Sequence, residues 1–200
     1  MSDLYEAGND PYCYPESSVL RNKLGICDGN LLAEIEFLYS QKRLTDLYTV
    51  SLVNGRFGFR HLSRIHGYIF QDVYDWAGKI RTVRIHKGET TFAYPEHIAS
   101  EAVRIFSQLQ KERYLRDLPP PLMRQRLAWY IGELNVLHPF REGNGRALRA
   151  WLRQLGLYNG LLLKFEKLGP DEWLQASIAA YVGDLQPMEK LLARITEPVE

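Results

Sequence analysis

The run His138-Pro139-Phe140-Arg141-Glu142-Gly143-Asn144-Gly145-Arg146-Ala147-Leu148-Arg149 gathers most of the chain's reactive side chains. His138 can take a proton near neutral pH. Glu142 supplies a carboxylate, and Mg²⁺ is commonly held by one or two carboxylates together with substrate phosphates. Gly143 and Gly145 let the backbone turn sharply, so that successive N–H groups form an anion nest at a helix start. Arg146 and Arg149 lie three residues apart on one side of the helix that follows, with Arg153 on the same side. Their planar donor forks suit phosphate oxygens. A base, a cation ligand, an anion nest and an arginine clamp together read as nucleotidyl or phosphoryl transfer. His138 and Glu142 could also form a metal pair at i and i+4. There is no His-Glu-x-x-His, however, and the glycines interrupt the helix such a pair needs.

A polar loop of this kind has to be held between two buried helices, and the flanks supply them. Pro119-Pro120-Pro121 launches a helix in which Leu127, Ile131 and Leu134 face the core. After the loop, Leu148, Trp151, Leu152 and Leu155 repeat at i, i+3, i+4 and i+7, and Gly156 and Gly160 bracket the end. Further out, residues 1–16 read as an extended arm packed on the surface. Ser17 or Ser18 and Gly25 bracket a short helix over 19–24. Leu31, Leu32, Ile35 and Leu38 give the buried face of a helix over 29–44. Asn54-Gly55 and Gly58 mark a loop before a helix over 59–75, built on Leu62, Ile65, Ile69 and Val73 and stopped by Gly78. His66 falls among those apolar positions and reads as a hydrogen-bonded core histidine. Residues 82–94 place β-branched and aromatic residues on both sides of Lys87-Gly88 and read as a hairpin. Its open edge could accept a further strand. Ile98, Ala102, Ile105, Phe106 and Leu109 define a helix over 96–112. Leu161-Leu162-Leu163 reads as a buried connector. Gly169-Pro170 opens a helix with Leu174, Ile178, Tyr181 and Val182 on one face, and Met188, Leu191, Leu192 and Ile195 form a last one.

The run 138–149 resembles the signature of the Fic family, His-Pro-Phe-x-(Asp/Glu)-Gly-Asn-Gly-Arg-x-x-Arg, and fills every fixed position. The upstream run Ile65-His66-x-x-Ile69-Phe70-x-Asp72-x-Tyr74-Asp75-Trp76-Ala77-Gly78-Lys79-Ile80-Arg81 is similar to the family's as well. The resemblance covers about residues 55–165, and more loosely the whole chain. It implies one all-α Fic domain over 1–200, a helical bundle with a small β-hairpin flap. Residues 55–165 would be its core, 1–54 an N-terminal arm and helices, and 166–200 C-terminal helices.

The implied activity is transfer of AMP from ATP to a Ser, Thr or Tyr hydroxyl of a target protein. His138 would be the base and Glu142 the Mg²⁺ ligand. Gly143, Asn144 and Gly145 would cradle the α- and β-phosphates, Arg146 would clamp the β-phosphate and Arg149 the γ-phosphate. Phe140 would anchor the loop. The hairpin 82–94 would be the flap that aligns the target. The family's inhibitory pattern, (Ser/Thr)-x-x-x-Glu-(Gly/Asn), is not found in the chain. This resembles the stand-alone bacterial toxin class, whose inhibitor is a separate small antitoxin that would present a glutamate to Arg149. Type II topoisomerases are among the targets of such relatives. Gly145 stands where kinase-like relatives carry lysine, which favours AMP transfer. The alternatives are a Fic fold using another nucleotide donor and a non-catalytic nucleotide- or protein-binding module; the latter has no use for a base such as His138.

Composition bounds the partners. Apolar residues at 46% and charged residues at 24% are those of a soluble globular protein. Twenty-five basic and 24 acidic side chains leave a net charge of +1, which gives no field for holding nucleic acid. Cys13 and Cys27 are too few for a disulfide scaffold and are expected as free thiols in a cytoplasmic protein. No Cys/His spacing suits zinc. The first residues show no secretion signal, and no stretch approaches the roughly 20 apolar residues of a membrane helix.

Overall fold

The computed structural model describes residues 10–49, 53–88, 90–169 and 171–199. Residues 1–9 of the expected arm, Glu89 of the hairpin and Pro170 before the sixth helix lie outside the described residues. Seven α-helices and two small antiparallel sheets are present among the described residues: α1 (Gly29–Thr49), α2 (Phe59–Phe70), β1 (His86–Lys87), β2 (Thr90–Thr91), α3 (Pro95–Lys111), α4 (Pro120–Leu137), α5 (Asn144–Tyr158), β3 (Leu161–Leu163), α6 (Glu172–Tyr181), α7 (Gln186–Ile195) and β4 (Thr196–Pro198). The fold is all-α with a small hairpin, as the resemblance implies.

The centre of the fold is the pair α4 and α5 with the signature loop between them. Pro120 opens α4, where its missing N–H costs no helical bond. Leu127, Ile131 and Leu134 are buried as expected, and so are Leu148, Trp151, Leu152 and Leu155 on α5. Trp151 is fully enclosed, with Phe106 5.7 Å and Phe57 6.5 Å away, both edge to face. α2 packs along α5, α1 along α2, and α6 and α7 close the other side of α4. No described helix is long and apolar enough to cross a membrane.

Five local expectations need correction. Residues 19–24 are not helical. Asn22 Nδ2 donates to Leu20 O (3.0 Å) and Ile26 O (2.7 Å), and its Oδ1 accepts the N–H groups of Leu24 and Ile26. That side chain claims the backbone groups a helix would use. The second helix ends at Phe70 rather than 75, because the amides of Val73 and Tyr74 both turn back to Phe70 O. The buried face of α1 is Leu32, Glu36, Ser40, Leu44 and Leu47, whereas Leu31 and Leu38 are exposed. On α6 the buried positions are Ala176 and Ala180, whereas Leu174, Ile178, Tyr181 and Val182 face outward. Leu161–Leu163 is not only a connector: it pairs with Thr196–Pro198 in the second sheet.

Candidate active site

The backbone of α4 ends abruptly at His138. Its N–H still donates to Leu134 O, at 3.2 Å, but its φ of 42° and ψ of 61° are left-handed and turn the chain out of the helix. The ring is held under the flap, stacked on Phe92 with centroids 3.8 Å apart and planes at 18°. Burial, the charge of Arg81 and that of Lys87 push its pKa down to about 3, opposed by a hydrogen bond to the Asn135 backbone. The imidazole is therefore neutral at physiological pH, the state a proton acceptor requires.

The loop beyond it is stapled from inside. Asn144 Oδ1 accepts the Phe140 N–H at 2.9 Å, and its Nδ2 donates to Phe140 O at 2.8 Å. Phe140 is buried and stacks on His66, with centroids 3.9 Å apart. His66 Nδ1 accepts the Gly78 N–H at 2.8 Å, and its Nε2 donates to Glu142 O at 2.8 Å. It is the hydrogen-bonded core histidine read from the sequence, kept neutral by burial, which pushes its pKa to about 3. Arg141 is buried and reaches back to the arm, its Nε and second guanidinium nitrogen 3.0 and 2.6 Å from Asp10 Oδ2.

Gly143 sits at φ 78°, ψ 8° and serves as the N-cap of α5. The first helical bond runs from Ala147 N–H to Gly143 O at 3.1 Å. The amides of Asn144, Gly145 and Arg146 precede it and have no partner within the helix. No side chain caps this end among the described residues. This is an anion nest backed by the positive end of a helix dipole. The Gly143 N–H itself is taken by Glu142 Oε1 at 2.8 Å, and the Asn144 side chain is committed to Phe140. Of the residues expected to cradle phosphate, Asn144 and Gly145 keep backbone amides with no partner inside the helix, and the Arg146 amide joins them.

The two arginines stand in different surroundings. Arg146 is pinned from α1: it donates to Glu36 Oε1 (2.5 Å) and Ser40 Oγ (2.9 Å), lies 3.7 Å from Glu142 Oε1, and covers the Phe70 ring at 4.6 Å. Glu36 also accepts a hydrogen bond from the Tyr74 hydroxyl. Arg149 has no carboxylate within ion-pair distance among the described residues. It lies 5.9 Å from the Trp173 ring, and its pKa is lowered by burial and by the charge of Arg146, against the influence of Tyr48. A cation in that position favours an incoming anion.

Sequence reasoning missed Glu36, Ser40 and Tyr74, which hold Arg146, and the part played by Arg81. Tyr74 and Arg81 belong to the upstream run 65–81, whereas nothing in the pattern of α1 singles out Glu36. No cluster of three or more His, Cys, Asp or Glu side chains suited to a metal occurs among the described residues. Glu142 alone could hold a cation only together with the oxygens of a bound phosphate, which is the coordination Mg²⁺ accepts.

The model of the Fic/DOC family matches residues 56–155, half of the chain. This chain belongs to the Fic/DOC family. Similar Fic proteins include the protein adenylyltransferase VbhT of Bartonella schoenbuchensis, 42% identical over 95% of this chain and 40% of its own length. The probable protein adenylyltransferase y4lH of Sinorhizobium fredii is 40% identical over 96% of this chain and 98% of its own. This Fic chain thus spans less than half of VbhT but nearly all of y4lH. Among solved structures, the BepC protein of Bartonella tribocorum with bound AMPPNP superposes with a TM-score of 0.85 at 28% identity, over 95% of this chain and 98% of that one. An N-terminal Fic domain from Bartonella quintana with bound ADP gives 0.88 at 26% identity, over 95% and 96%.

Proposed function

We infer that this Fic protein is a protein adenylyltransferase, moving AMP from ATP to a hydroxyl of a target protein. The observation that carries the reading is the juxtaposition on one loop of a neutral imidazole at His138, an open helix start at 144–146 and an arginine, Arg149, that lacks a carboxylate partner among the described residues. Binding alone would need the nest and the arginine. A histidine beside both of them adds the proton acceptor that attack by a hydroxyl requires. The names of its relatives and the nucleotides in BepC and the Bartonella quintana domain agree with it.

In this reading the triphosphate lies on the start of α5, with the amides of 144–146 on its oxygens, Arg146 near the β-phosphate and Arg149 near the γ-phosphate. Glu142 would hold a Mg²⁺ that neutralises phosphate charge when bound. The target's Ser, Thr or Tyr hydroxyl gives its proton to His138 as its oxygen attacks the α-phosphorus. The bond to the β-phosphate oxygen breaks and pyrophosphate leaves. Gly143 and Asn144 act by shaping the loop, and the Gly145 backbone by touching phosphate. Catalysis is then mainly positioning and electrostatics. The hairpin 82–94 would present the target segment, since the β1–β2 pair is a two-stranded ribbon with strand edges.

Two finer points belong to the same proposal. The cation at Arg149 would be the docking point for a glutamate of a separate inhibitory protein, as expected of a cytoplasmic toxin of the two-component type. A type II topoisomerase subunit is the first target to try. The deciding test is transfer of α-labelled ATP to lysate proteins by wild type and His138→Ala. A labelled band that falls on the order of 10²–10⁴-fold in the variant supports the reading. Label from the γ-phosphate alone means a kinase. Label from neither phosphate, with nucleotide still bound, means a binding module.

A further inference from the structure

Arg81 has no role in the chemistry above, yet it is one of the largest fully buried side chains in the molecule, 1% exposed. Its Nε donates to His138 O at 2.8 Å. One terminal nitrogen donates to Val83 O at 2.6 Å, and the other to Ala93 O at 2.5 Å. Its own N–H donates to Pro139 O at 2.9 Å. Val83 enters the flap and Ala93 leaves it. One rigid guanidinium therefore joins the backbone of His138 to both legs of the hairpin. Two further contacts close the same ring: the Ala93 N–H donates to Val136 O at 2.9 Å, and Phe92 stacks on the His138 imidazole.

We propose that Arg81 is a positioning residue for the transfer reaction, fixing the flap that presents the target and the base that deprotonates it at one buried point. The proposal rests on the adenylyltransferase reading for its purpose, but its geometry stands without it. A two-stranded hairpin is marginal by itself, so its placement over the loop has to come from outside. Arginine suits the task because its fork offers several donors in fixed directions, which lysine cannot match. The charge has a second effect. Among the described residues, the charged groups that act on His138 are Arg81, from the segment after α2, and Lys87, from β1, and both disfavour its protonation. The side chain that orients the base thereby also helps to keep it neutral.

Arg81→Lys and Arg81→Gln separate the two effects. Lysine keeps the charge and loses the fork; glutamine loses the charge as well. Both variants should raise the KM for target protein, with a loss in kcat/KM on the order of 10²-fold, the cost of a misplacement of about 1 Å. Nucleotide Kd should stay at the wild-type value. In both, the Phe92 and Ala93 amides should exchange with solvent faster. The His138 ring, followed by NMR, should titrate at higher pH in Arg81→Gln and near the wild-type position in Arg81→Lys. Variants that fold, keep flap protection and keep the target KM would overturn the proposal. Should neither variant fold, wild-type hydrogen exchange decides: the Ala93 and His138 amides should open together, and independent opening refutes the link. If wild type transfers nothing, the adenylyltransferase reading fails, whereas exchange and ring titration still judge Arg81.

Discussion

Gly143→Ala should be the most damaging small substitution in the loop, and its cost can be worked from two observations. At φ 78° the backbone lies in the left-handed region, where an L-residue pays about 1–2 kcal/mol. A Cβ built there would stand 2.2 Å from Phe70 Cζ and 2.3 Å from Cε2. Phe70 is fully buried, with the Arg146 guanidinium over its face at 4.6 Å and His66 beside it at 4.7 Å. The ring cannot swing without displacing one of them, so overpacking adds about 1–3 kcal/mol. The sum, about 2–5 kcal/mol, corresponds to a fall in Tm of roughly 4–20 °C for a domain of this size. Gly145→Ala is the control. Its φ is not in the left-handed region, and its Cβ would meet only the Arg149 guanidinium tip at 3.3 Å. It should keep the wild-type Tm within about 0.5 kcal/mol of stability while weakening nucleotide binding through the displaced Arg149. Thermal unfolding and ADP titration of the two variants side by side give the answer. A Gly143→Ala protein as stable as Gly145→Ala, with equal ADP affinity, would refute the account of the loop.

Three other perturbations follow from the same geometry. Glu36→Gln removes the carboxylate that Arg146 faces and should cost about 1.5–3 kcal/mol; because a bound phosphate then supplies the missing anion, ADP should raise the Tm of the variant more than that of wild type, and equal shifts would count against it. Phe92→Ala uncovers the His138 ring and relieves the burial that lowers its pKa, so the ring should titrate at higher pH by NMR and kcat should drop. His66 is held neutral in the fold, near a pKa of about 3 against an ordinary 6.5. Its stabilising share is therefore complete above the unfolded value and falls by about 1.4 kcal/mol per pH unit as the pH drops from 6.5 toward 3, a slope that urea midpoints across that range should show and that His66→Gln should reduce by that share, leaving the share of His138, held near the same value.

The helices that frame the loop were legible because their apolar residues serve one purpose. On α4 and α5 every leucine and isoleucine at the right spacing is buried, and the turn between them is announced by Gly143, whereas Gly145, expected to turn the chain as well, lies inside α5. The same rule misplaces the faces of α1 and α6. On α1, Glu36 and Ser40 occupy the inward stripe because Arg146 and Tyr74 stand opposite, and a polar residue that answers a buried charge looks like a solvent position in one dimension. On α6 the inward stripe is alanine, Ala176 and Ala180, because the Ala180 methyl packs close to Gly132 of α4. The larger residues Leu174 and Ile178 turn outward, so apolar size points the wrong way. The pairing of Leu161–Leu163 with Thr196–Pro198 joins short segments far apart in the chain, which no local period can show.

For the site, the identities were legible and the division of labour was not. A signature names its residues together, which invites each to be assigned to the ligand. The structure separates them by what each already holds. Asn144 is spent on Phe140, the Gly143 amide on Glu142, Arg141 on Asp10 and Arg146 on Glu36. Among the described residues, what is not already spent in this way is a short list: the amides opening α5, Arg149, and the His138 ring sheltered beneath Phe92. A loop with a left-handed histidine at 138 and a left-handed glycine at 143 is a poor local minimum, so most of its side chains have to be used to hold it in place. The few that are left can meet substrate without rearranging first. That is why substitutions at the holding residues, Gly143 and Glu36 among them, should read out first in stability, whereas those at Arg149 should read out first in nucleotide binding and those at His138 in transfer.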